Sequence, residues 1–503
     1  MPDYIYNSAK RYPDQIAFIF RDQKITYSEL ADKISRCANG LLKLGVKKND
    51  TFVVCLRNSP EFIIFSMALS KIGGILVPVN FLEKAERIAL IIKDSKAVGI
   101  LTAKEFYSAA VEACKGLSHV KFFYLREGSH KDFLNINEIL QSDPYEGPDL
   151  SHEDDLMMLL YTSGTTGLPK GVMLTHKNFI ANVEQSLKAI AVGEKDRFLC
   201  LLPLFHSFSW TTCMMLPLKL GAQVVIVESL LPFDPVIKMI WKYKVTCFLA
   251  IPQIFSALTN KIDGFKAIVL RFLSPVKICI SGAAPMPQGI HESFEKKFGV
   301  KLLEGYGLTE ASPVVSLNPF SKRKIGTVGK PIPGVLVDIR TDEGKTLPLG
   351  EVGEIWVKGE NVMKGYFNRP EETAEVLTSD GWLKTGDMGK LDDEGYLQIV
   401  DRKKDLIIIK GLNVYPQDIE NVISKYDAVK EVAVVGKMDK ETGDETIRAF
   451  VTAKENMAID KSYIMTLCRD HLAPYKRPKE IILLDEMPKN ALQKILKKDL
   501  RNR

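Results

Sequence analysis

Alternating helix and strand signals near the start of the chain restrict its fold more than any other feature of the sequence. Thr26 and Glu29 form a capping-box pair that begins an amphipathic helix, which Gly45 ends. The apolar segment TFVVCL then predicts a buried strand, Ser59 and Pro60 begin a second helix, and ILVPVN predicts the next strand. Strands that alternate with helices in this way are typical of parallel sheets covered by helices.

Two later regions have a different pattern. From about Gly326 to Val400, short strands such as GEIWVKG and GYLQIV are separated by Gly and Asp turns, which predicts a barrel-like subdomain over 326–400. After the charged segment DRKKD, residues 401–405, the order helix, strand, strand, helix, strand predicts a small α+β domain. The expected fold class is therefore α/β. A large N-terminal domain over 1–400 would contain parallel α/β sheets and the barrel-like subdomain, followed by a hinge at 401–405 and a C-terminal domain over 406–503.

Composition and charge narrow the functional classes. Of the 503 residues, 46% are hydrophobic and 26% are charged, as in an ordinary globular protein, and the net charge of +6 suits an anionic small molecule rather than nucleic acid. The eight cysteines contain no C-x-x-C pair, which favours reduced core thiols and a cytoplasmic protein. We expect no signal peptide. The uncharged run 198–218 is long enough to cross a membrane, but Pro203 would break a helix there, so we predict a buried strand, a turn and a helix.

The segment YTSGTTGLPKG, residues 161–171, is a candidate phosphate-binding loop. It does not follow the usual P-loop pattern, in which the lysine directly follows a glycine and precedes Ser or Thr. Its hydroxyl groups, glycine N–H groups and lysine can nevertheless surround an anion. Because apolar segments lie on both sides, a mobile surface loop is the weaker interpretation. The candidate residues are Thr162, Ser163, Gly164, Thr165, Thr166, Gly167 and Lys170.

Two further motifs carry groups that a nucleotide would need. In EGYGLTE, residues 304–310, the glycines allow close approach to the backbone, Tyr306 offers a stacking face, and Thr309 with Glu310 offers oxygen ligands for Mg²⁺. A strand end followed by a helix start explains the same residues equally well. In LKTGDMG, Asp387 can accept hydrogen bonds from two vicinal hydroxyls, although a turn residue is the simpler interpretation of this motif alone.

Together with DRKKD and PKNALQK, residues 488–494, these motifs resemble those of the adenylate-forming superfamily, which includes acyl-CoA synthetases, beetle luciferases and peptide-synthetase adenylation domains. The resemblance runs from about Tyr12 to Lys498 and is strongest to bacterial fatty acyl-CoA ligases. It implies that ATP activates a carboxylic acid, of the fatty-acid type, to acyl-AMP with release of pyrophosphate. CoA would then take the acyl group and AMP would leave. Loading of a carrier-protein pantetheine and a non-catalytic nucleotide-binding regulator are the alternatives.

The resemblance also implies roles for individual residues around ATP and Mg²⁺. The loop from Thr162 to Lys170 would bind the β- and γ-phosphates, Thr309 would contact phosphate, and Glu310 would ligate Mg²⁺. Asp387 and Arg402 would bind the ribose hydroxyls. The adenine pocket would be formed by Gly282, Ala283, Ala284, Pro285, Gly305 and Tyr306.

Other residues would act on the acid and on CoA. Lys494 would meet the carboxylate and the α-phosphate, and His206 would lie beside the carboxylate. Trp210 would gate an acyl tunnel, although an aromatic residue in an apolar run is usually part of the core. Lys404 would be the hinge of a mobile C-terminal domain, and Gly411 would line the pantetheine tunnel once that domain has rotated.

Some features depart from the family pattern or stay open. Gln493 stands where glycine is common, and Lys410 could meet a CoA phosphate or be solvated. The basic segment 494–503 could make weak peripheral contact with anionic lipid, but a solvated end is the simpler expectation, and for Lys497 and Lys498 we expect solvation. We expect a monomer or homodimer with no transmembrane segment and no nucleic-acid partner.

Overall fold

The computed structural model describes residues 2–163, 169–229, 234–262, 264, 271–409, 412–438, 445–489 and 494–503. They form two large mixed sheets, a smaller antiparallel sheet and a compact C-terminal unit. The α/β class that the alternating helix and strand signals predict is confirmed.

The first large sheet has eight strands. In sheet order they are Gly365–Tyr366, Pro169–Thr175, Leu156–Ser163, Ile75–Pro78, Thr51–Cys55, Gly99–Thr102, Phe122–Leu125 and Leu134–Asn135. The first three strands pair antiparallel, and all later pairs are parallel. Helices Ala85–Ser95 and Tyr107–Cys114 cover one face, whereas Tyr27–Lys43, Pro60–Lys71 and Ile136–Ile139 pack on the other.

The second large sheet has nine strands. In sheet order they are Lys330–Pro331, Val314–Leu317, Leu302–Gly307, Ile278–Ser281, Cys247–Ala250, Arg197–Cys200, Gln223–Ile226, Ile16–Phe20 and Gln23–Thr26. Its six central strands, from Leu302–Gly307 to Ile16–Phe20, are parallel. Helices Asp234–Lys242, Pro252–Lys261 and Gln288–Phe298 cover one face. Helices Pro2–Arg11, His176–Ala189 and Leu216–Leu220 contribute to the core on the other.

The predicted helix signals act as local physical chemistry requires. The Thr26 hydroxyl accepts from the backbone N–H of Glu29, and the Glu29 carboxylate accepts from the backbone N–H of Thr26, so the capping box is complete. Ser59 caps the next helix, with Pro60 at its first position. That helix is buried almost all round, because it lies in one core with Phe52 of the first sheet and Phe198 of the second. The two sheets are therefore joined by a shared apolar core.

The uncharged run 198–218 folds as the strand, turn and helix that its prolines predict. Strand Arg197–Cys200 is followed by a helical segment, Ser209–Met215, with π-type hydrogen bonds, and then by helix Leu216–Leu220. The Thr212 hydroxyl donates to the Phe208 carbonyl, a back-bond of the kind that distorts helices. Across the described ranges, no helix combines the length and apolar character that a membrane crossing requires.

A four-stranded antiparallel sheet follows where the sequence predicts the barrel-like subdomain. In sheet order its strands are Leu336–Arg340, Gly353–Lys358, Leu383–Leu391 and Leu397–Arg402. Helix Pro370–Val376 lies in the chain between the second and third of these strands, and the short 3₁₀ segments Lys104–Phe106 and Thr309–Ala311 lie earlier in the chain. All three strand pairs of this sheet are antiparallel.

The C-terminal unit has its own core, centred on residues such as Ile419, Val434 and Ile464. It contains the three-stranded sheet Val429–Met438, Glu445–Ala453 and Glu480–Leu483, with helices Pro416–Ile423, Lys461–His471 and Lys497–Arg501. A two-stranded ribbon, Ile407–Ile409 and Leu412–Val414, precedes the first helix and was not predicted. The 3₁₀ segments Lys403–Asp405 and Pro474–Lys476 complete the elements of this part.

Candidate active site

The site lies at the carboxyl ends of parallel strands of the nine-stranded sheet, which is where α/β folds bind ligands. Strand Ile278–Ser281 ends at Gly282, and strand Leu302–Gly307 carries Gly305 and Tyr306. Both strands open into one apolar-walled cleft with a cavity volume of about 80 Å³. A Cβ atom at Gly282 would lie 3.2 Å from the Phe208 ring, so glycine keeps this wall open. Of the predicted adenine-pocket residues, Gly282, Ala283, Gly305 and Tyr306 line the cleft, whereas Ala284 and Pro285 continue the turn outside it.

A buried carboxylate is fixed at one end of this cleft. The Tyr306 hydroxyl donates to Asp387 Oδ2 at 2.6 Å, and Arg402 Nε lies 3.3 Å from Asp387 Oδ1. Asp387 and Arg402 are cross-strand partners in the four-stranded sheet. The Asp387 carboxylate raises the pKa of the Arg402 guanidinium, which holds Arg402 in its charged form. Residues from three separate motifs, including both predicted ribose ligands, therefore meet at one point.

Glu310 is connected to the predicted phosphate loop through Tyr366. The Tyr366 hydroxyl donates to Glu310 Oε1 at 3.0 Å, and the Lys170 ammonium lies 5.2 Å from the centre of the Tyr366 ring. Burial raises the pKa of the Glu310 carboxyl. Sequence reasoning missed Tyr366, because its only local signal is an aromatic residue after a glycine.

Only the ends of the predicted phosphate loop can be placed. Thr162 and Lys170 are cross-strand partners in two antiparallel strands, so the segment begins and ends at neighbouring positions. The predicted ligands Gly164, Thr165, Thr166 and Gly167 lie outside the described residues, as does the side chain of Ser163. Gly411, with the neighbouring Lys410, and Gln493 also lie outside them.

Lys494, from the C-terminal unit, lies close to the cleft. Burial and the positive charge of Lys494 lower the pKa of His206 to about 4, so the imidazole is neutral near pH 7. Burial and the nearby Arg402 guanidinium lower the pKa of Lys494 to about 8, and Asp387 opposes this shift. The charge of Lys494 thus acts on His206, while the charges of Arg402 and Asp387 act on Lys494. His206 itself lines the cleft beside Thr309.

Most of the remaining cleft wall is apolar, although Ser186, Thr212, Ser281 and Ser316 also line it. Ser207 Oγ and Thr309 Oγ1, 3.5 Å apart, form a polar edge next to His206. The apolar walls were not predicted individually, because they come from segments far apart in the chain. Their side chains are Ile190, Phe198, Leu216, Leu249, Ile280, Pro313, Val314, Leu317 and Ile332.

Trp210 does not line this cleft. It is completely buried, and its ring lies 6.2 Å from that of Phe62 in the shared core. This position matches the alternative that an aromatic residue in an apolar run belongs to the core. A gating role for Trp210 stays a prediction.

The segment around Lys404 is held by ion pairs on both sides. Lys403 Nζ lies 3.0 Å from Glu354 Oε2, in the four-stranded sheet, and 2.6 Å from Asp342 Oδ1, in the turn after strand Leu336–Arg340. Arg501, near the end of the chain, lies 2.6 Å from Asp405 Oδ1 and donates to the Lys404 carbonyl. Each neighbour of Lys404 is therefore attached to a different unit, as a hinge at this position would require.

The C-terminal basic segment is less solvated than expected. Lys497 Nζ lies 2.8 Å from Glu420 Oε1, and Leu500 is buried beside it. The expectation of a solvated Lys497 is therefore wrong, because a partly buried carboxylate on helix Pro416–Ile423 pairs with it. Lys498 is exposed as expected.

Comparison with known proteins gives consistent matches along the chain. The family model described as AMP-binding enzyme matches residues 5–367, and the AMP-binding enzyme C-terminal domain matches residues 418–494. The chain is 36% identical to a long-chain-fatty-acid–CoA ligase of Bacillus subtilis, covering 98% of this chain and 92% of that protein. It is 34% identical to 4-coumarate–CoA ligase 1 of Solanum tuberosum, covering 96% and 89%.

Solved structures match over the same extent. An anthranilate CoA ligase in complex with anthranoyl-AMP superposes with a TM-score of 0.92 at 25% identity, covering 100% of this chain and 96% of that one. The o-succinylbenzoate CoA synthetase of Bacillus subtilis in complex with ATP and magnesium superposes with a TM-score of 0.86 at 30% identity, covering 99% of both chains.

Proposed function

The chain belongs to the AMP-binding enzyme family, and from this premise we infer that it is an AMP-forming acyl-CoA synthetase, an acid–thiol ligase. It activates a carboxylic acid with ATP and transfers the acyl group to CoA. The observation that carries this inference is the Asp387 carboxylate, held by Tyr306 and Arg402 at one end of an apolar-walled cleft that His206 lines. Lys494 is close enough for its charge to lower the pKa of His206. To bind an acyl adenylate, a site needs a carboxylate for the ribose hydroxyls, a cation for the phosphate and an apolar cavity for the acyl group.

The chemistry explains why the acid must first be activated. A carboxylate is anionic and offers no good leaving group to a thiol. When its oxygen attacks the α-phosphorus of ATP, an acyl–phosphate bond forms, the α–β phosphoanhydride bond breaks, and pyrophosphate leaves. The thiol of CoA then attacks the acyl carbon, and AMP leaves with the bonding electron pair. Because charge develops on phosphate oxygens in the first step, fixed positive charge is the main catalytic requirement.

Different residues of the site bind different parts of ATP and the acid. Asp387 and Arg402 bind the ribose hydroxyls, while Gly282, Ala283, Gly305 and Tyr306 enclose the adenine, with Ala284 and Pro285 in the adjoining turn. Lys494 meets the carboxylate and α-phosphate, where its ammonium stabilises the developing charge. His206, which is neutral, lies beside the acid and can donate a hydrogen bond to its carboxylate without adding charge.

The polar end of the cleft fits ATP with Mg²⁺. Among the residues that the structure describes, no group of three or more His, Cys, Asp or Glu side chains could hold a metal alone. Mg²⁺ does not need such a group, because it typically binds one or two carboxylates together with substrate phosphates. Glu310 would supply the carboxylate, oriented by Tyr366, and Thr309 would contact phosphate. When bound, Mg²⁺ would neutralise phosphate charge.

The acid is proposed to be a long-chain fatty acid. The walls contributed by Ile190, Leu216, Leu249 and Ile332 offer no charge and suit an alkyl chain. The relative from Bacillus subtilis is named for the same substrate class. An aryl acid is the alternative, since 4-coumarate and anthranilate ligases are among the similar proteins.

CoA transfer requires Lys494 to leave the acyl carbon. We assign this movement to rotation of the C-terminal unit about Lys404, with Gly411 entering the pantetheine path. The ion pairs of Lys403 and Asp405 support this assignment, because they attach the two neighbours of Lys404 to different units.

A panel of acids from acetate to palmitate, with aryl acids, tests the function when AMP release is measured with and without CoA. We expect AMP release to require both acid and CoA, with the highest kcat/KM for long alkyl chains. Nucleotide binding without acid-dependent pyrophosphate exchange would contradict an enzyme function. Release that needs a carrier-protein pantetheine in place of CoA would contradict the assigned acceptor.

The pKa of Lys494 predicts an alkaline limit for the first step. Burial and Arg402 lower this pKa from 10.5 to about 8, so the charged form that assists adenylation is lost as pH rises through 8. We expect kcat/KM for acyl-AMP formation to fall above pH 8, because this parameter reports the free enzyme. Transfer from supplied acyl-AMP to CoA should not fall over the same range. A flat adenylation profile up to the ordinary lysine pKa would contradict the prediction.

A further inference from the structure

Glu354 is a buried carboxylate that connects two segments of the candidate site. It lies on strand Gly353–Lys358 and is only 6% exposed. Its Oε1 accepts from the backbone N–H of Gly386 at 3.1 Å, and its Oε2 lies 3.0 Å from Lys403 Nζ. A buried carboxylate is costly unless both oxygens are satisfied, and here each oxygen has a separate partner.

The two partners stand next to the proposed ribose ligands. Gly386 precedes Asp387, and Lys403 follows Arg402. Glu354 therefore contacts the backbone N–H of Gly386, beside Asp387, and the side chain of Lys403, beside Arg402. It does not contact either of the paired groups itself in the hydrogen bonds and ion pairs of the described residues.

Residues 385–387 form a bulge within strand Leu383–Leu391, where the register against strand Gly353–Lys358 shifts. Gly386 adopts a φ of +71°, a left-handed conformation that favours glycine. The Thr385 hydroxyl donates to the Ile355 carbonyl at 2.7 Å and accepts from the Asp387 N–H at 3.1 Å. Glu354 and Ile355, neighbours on one strand, thus hold the bulge at two consecutive points.

Resting on the proposed function, we propose that Glu354 is a positioning residue for nucleotide binding. Its carboxylate orients the bulge at 385–387 through the Gly386 N–H, and this places the Asp387 carboxylate for the ribose hydroxyls. Its second oxygen fixes Lys403 and so the start of the hinge segment. Glu354 acts through these neighbours and does not bind the nucleotide.

Replacing Glu354 with alanine should weaken nucleotide binding more than it slows chemistry. An unpaired N–H group at Gly386, with Lys403 left paired only to Asp342, would let the bulge shift, which we expect to raise KM for ATP about tenfold. The affinity for AMP, measured by calorimetry without turnover, should fall by the same factor. At saturating ATP, kcat for acid-dependent pyrophosphate exchange and KM for the acid should stay within about threefold of wild type.

Two matched variants distinguish the hydrogen bond that Glu354 accepts from Gly386 from its ion pair with Lys403. Glu354→Gln keeps an oxygen that accepts from Gly386 N–H but loses the ion pair, so it should restore most of the ATP affinity. Asp342→Asn removes the other, exposed partner of Lys403 and leaves the Gly386 hydrogen bond intact, so KM for ATP should not change. If the alanine variant does not fold, Glu354→Asp, which withdraws the carboxylate by one methylene, should raise KM for ATP instead.

Several outcomes would overturn the proposal. One is a folded Glu354→Ala protein whose ATP KM and AMP affinity equal those of wild type, even if its thermal stability is lower. Another is a rise in KM for ATP in Asp342→Asn as large as in Glu354→Ala, because Asp342→Asn leaves the hydrogen bond between Gly386 and Glu354 intact. A wild-type protein that binds AMP but shows no acid-dependent exchange would instead overturn the proposed function, and the AMP affinities would still decide the role of Glu354.

Discussion

Replacing Lys494 with alanine is expected to lower acyl-AMP formation by about 10²–10³-fold, the cost of removing one preorganised group that stabilises transition-state charge. Lys494 lies near Asp387, Arg402 and His206, where the carboxylate and the α-phosphate of ATP would meet. Transfer from supplied acyl-AMP to CoA should be largely unchanged, since Lys494 would have left the acyl carbon by then. Acid-dependent ATP–pyrophosphate exchange measures the first step, and thioester formation from synthetic acyl-AMP measures the second.

Two other lysines serve as controls for Lys494. Lys498 is four residues away in the same segment and exposed, so Lys498→Ala should behave as wild type in both steps. Lys170 lies over the Tyr366 ring at the end of the phosphate loop, so Lys170→Ala should mainly raise KM for ATP. Equal loss of both half-reactions in Lys494→Ala would refute a step-specific role and indicate general damage to the fold.

Local signals account for the parts of the fold that were predicted correctly. The capping box at Thr26 and the Ser59–Pro60 helix start act within four residues, so their physics is complete in the sequence. The same holds for the prolines that break up the run 198–218. The order of strands in the two large sheets was not predicted, because it depends on pairing between distant segments, such as Ile16–Phe20 with Gln223–Ile226.

In the candidate site, too, residues within local motifs were predicted, and those whose role depends on distant segments were not. Tyr306, Glu310, Asp387 and Lys494 were named from motifs, and the hydrogen bond between Tyr306 and Asp387 now spans 81 positions of the chain. Tyr366 was missed because its role arises only when one edge strand brings it beside Glu310. Lys497 was misjudged because its partner, on a helix about 80 residues earlier, is invisible to local patterning.

A Glu310→Gln protein is expected to form acyl-AMP about 10²–10³-fold more slowly at a fixed, low Mg²⁺ concentration. Glutamine keeps the volume of the side chain and an oxygen that accepts from the Tyr366 hydroxyl, so the packing around residue 310 should persist. It lacks the negative charge that a hard divalent cation prefers. The measurement is the rate of acid-dependent pyrophosphate exchange as a function of Mg²⁺ concentration, in which the half-saturating concentration should rise.

The tyrosine next to Glu310 separates the charge of the carboxylate from its orientation. Tyr366→Phe keeps the Glu310 charge and the ring face under Lys170 but removes the hydroxyl that donates to Glu310 at 3.0 Å. We therefore expect the rate of acid-dependent pyrophosphate exchange to fall about tenfold. Because pyrophosphate has left before CoA reacts, neither change should slow thioester formation from supplied acyl-AMP. An unchanged Mg²⁺ dependence in Glu310→Gln would show that the cation is held by phosphate oxygens and other groups, and Glu310 would then lose its assignment as the metal ligand.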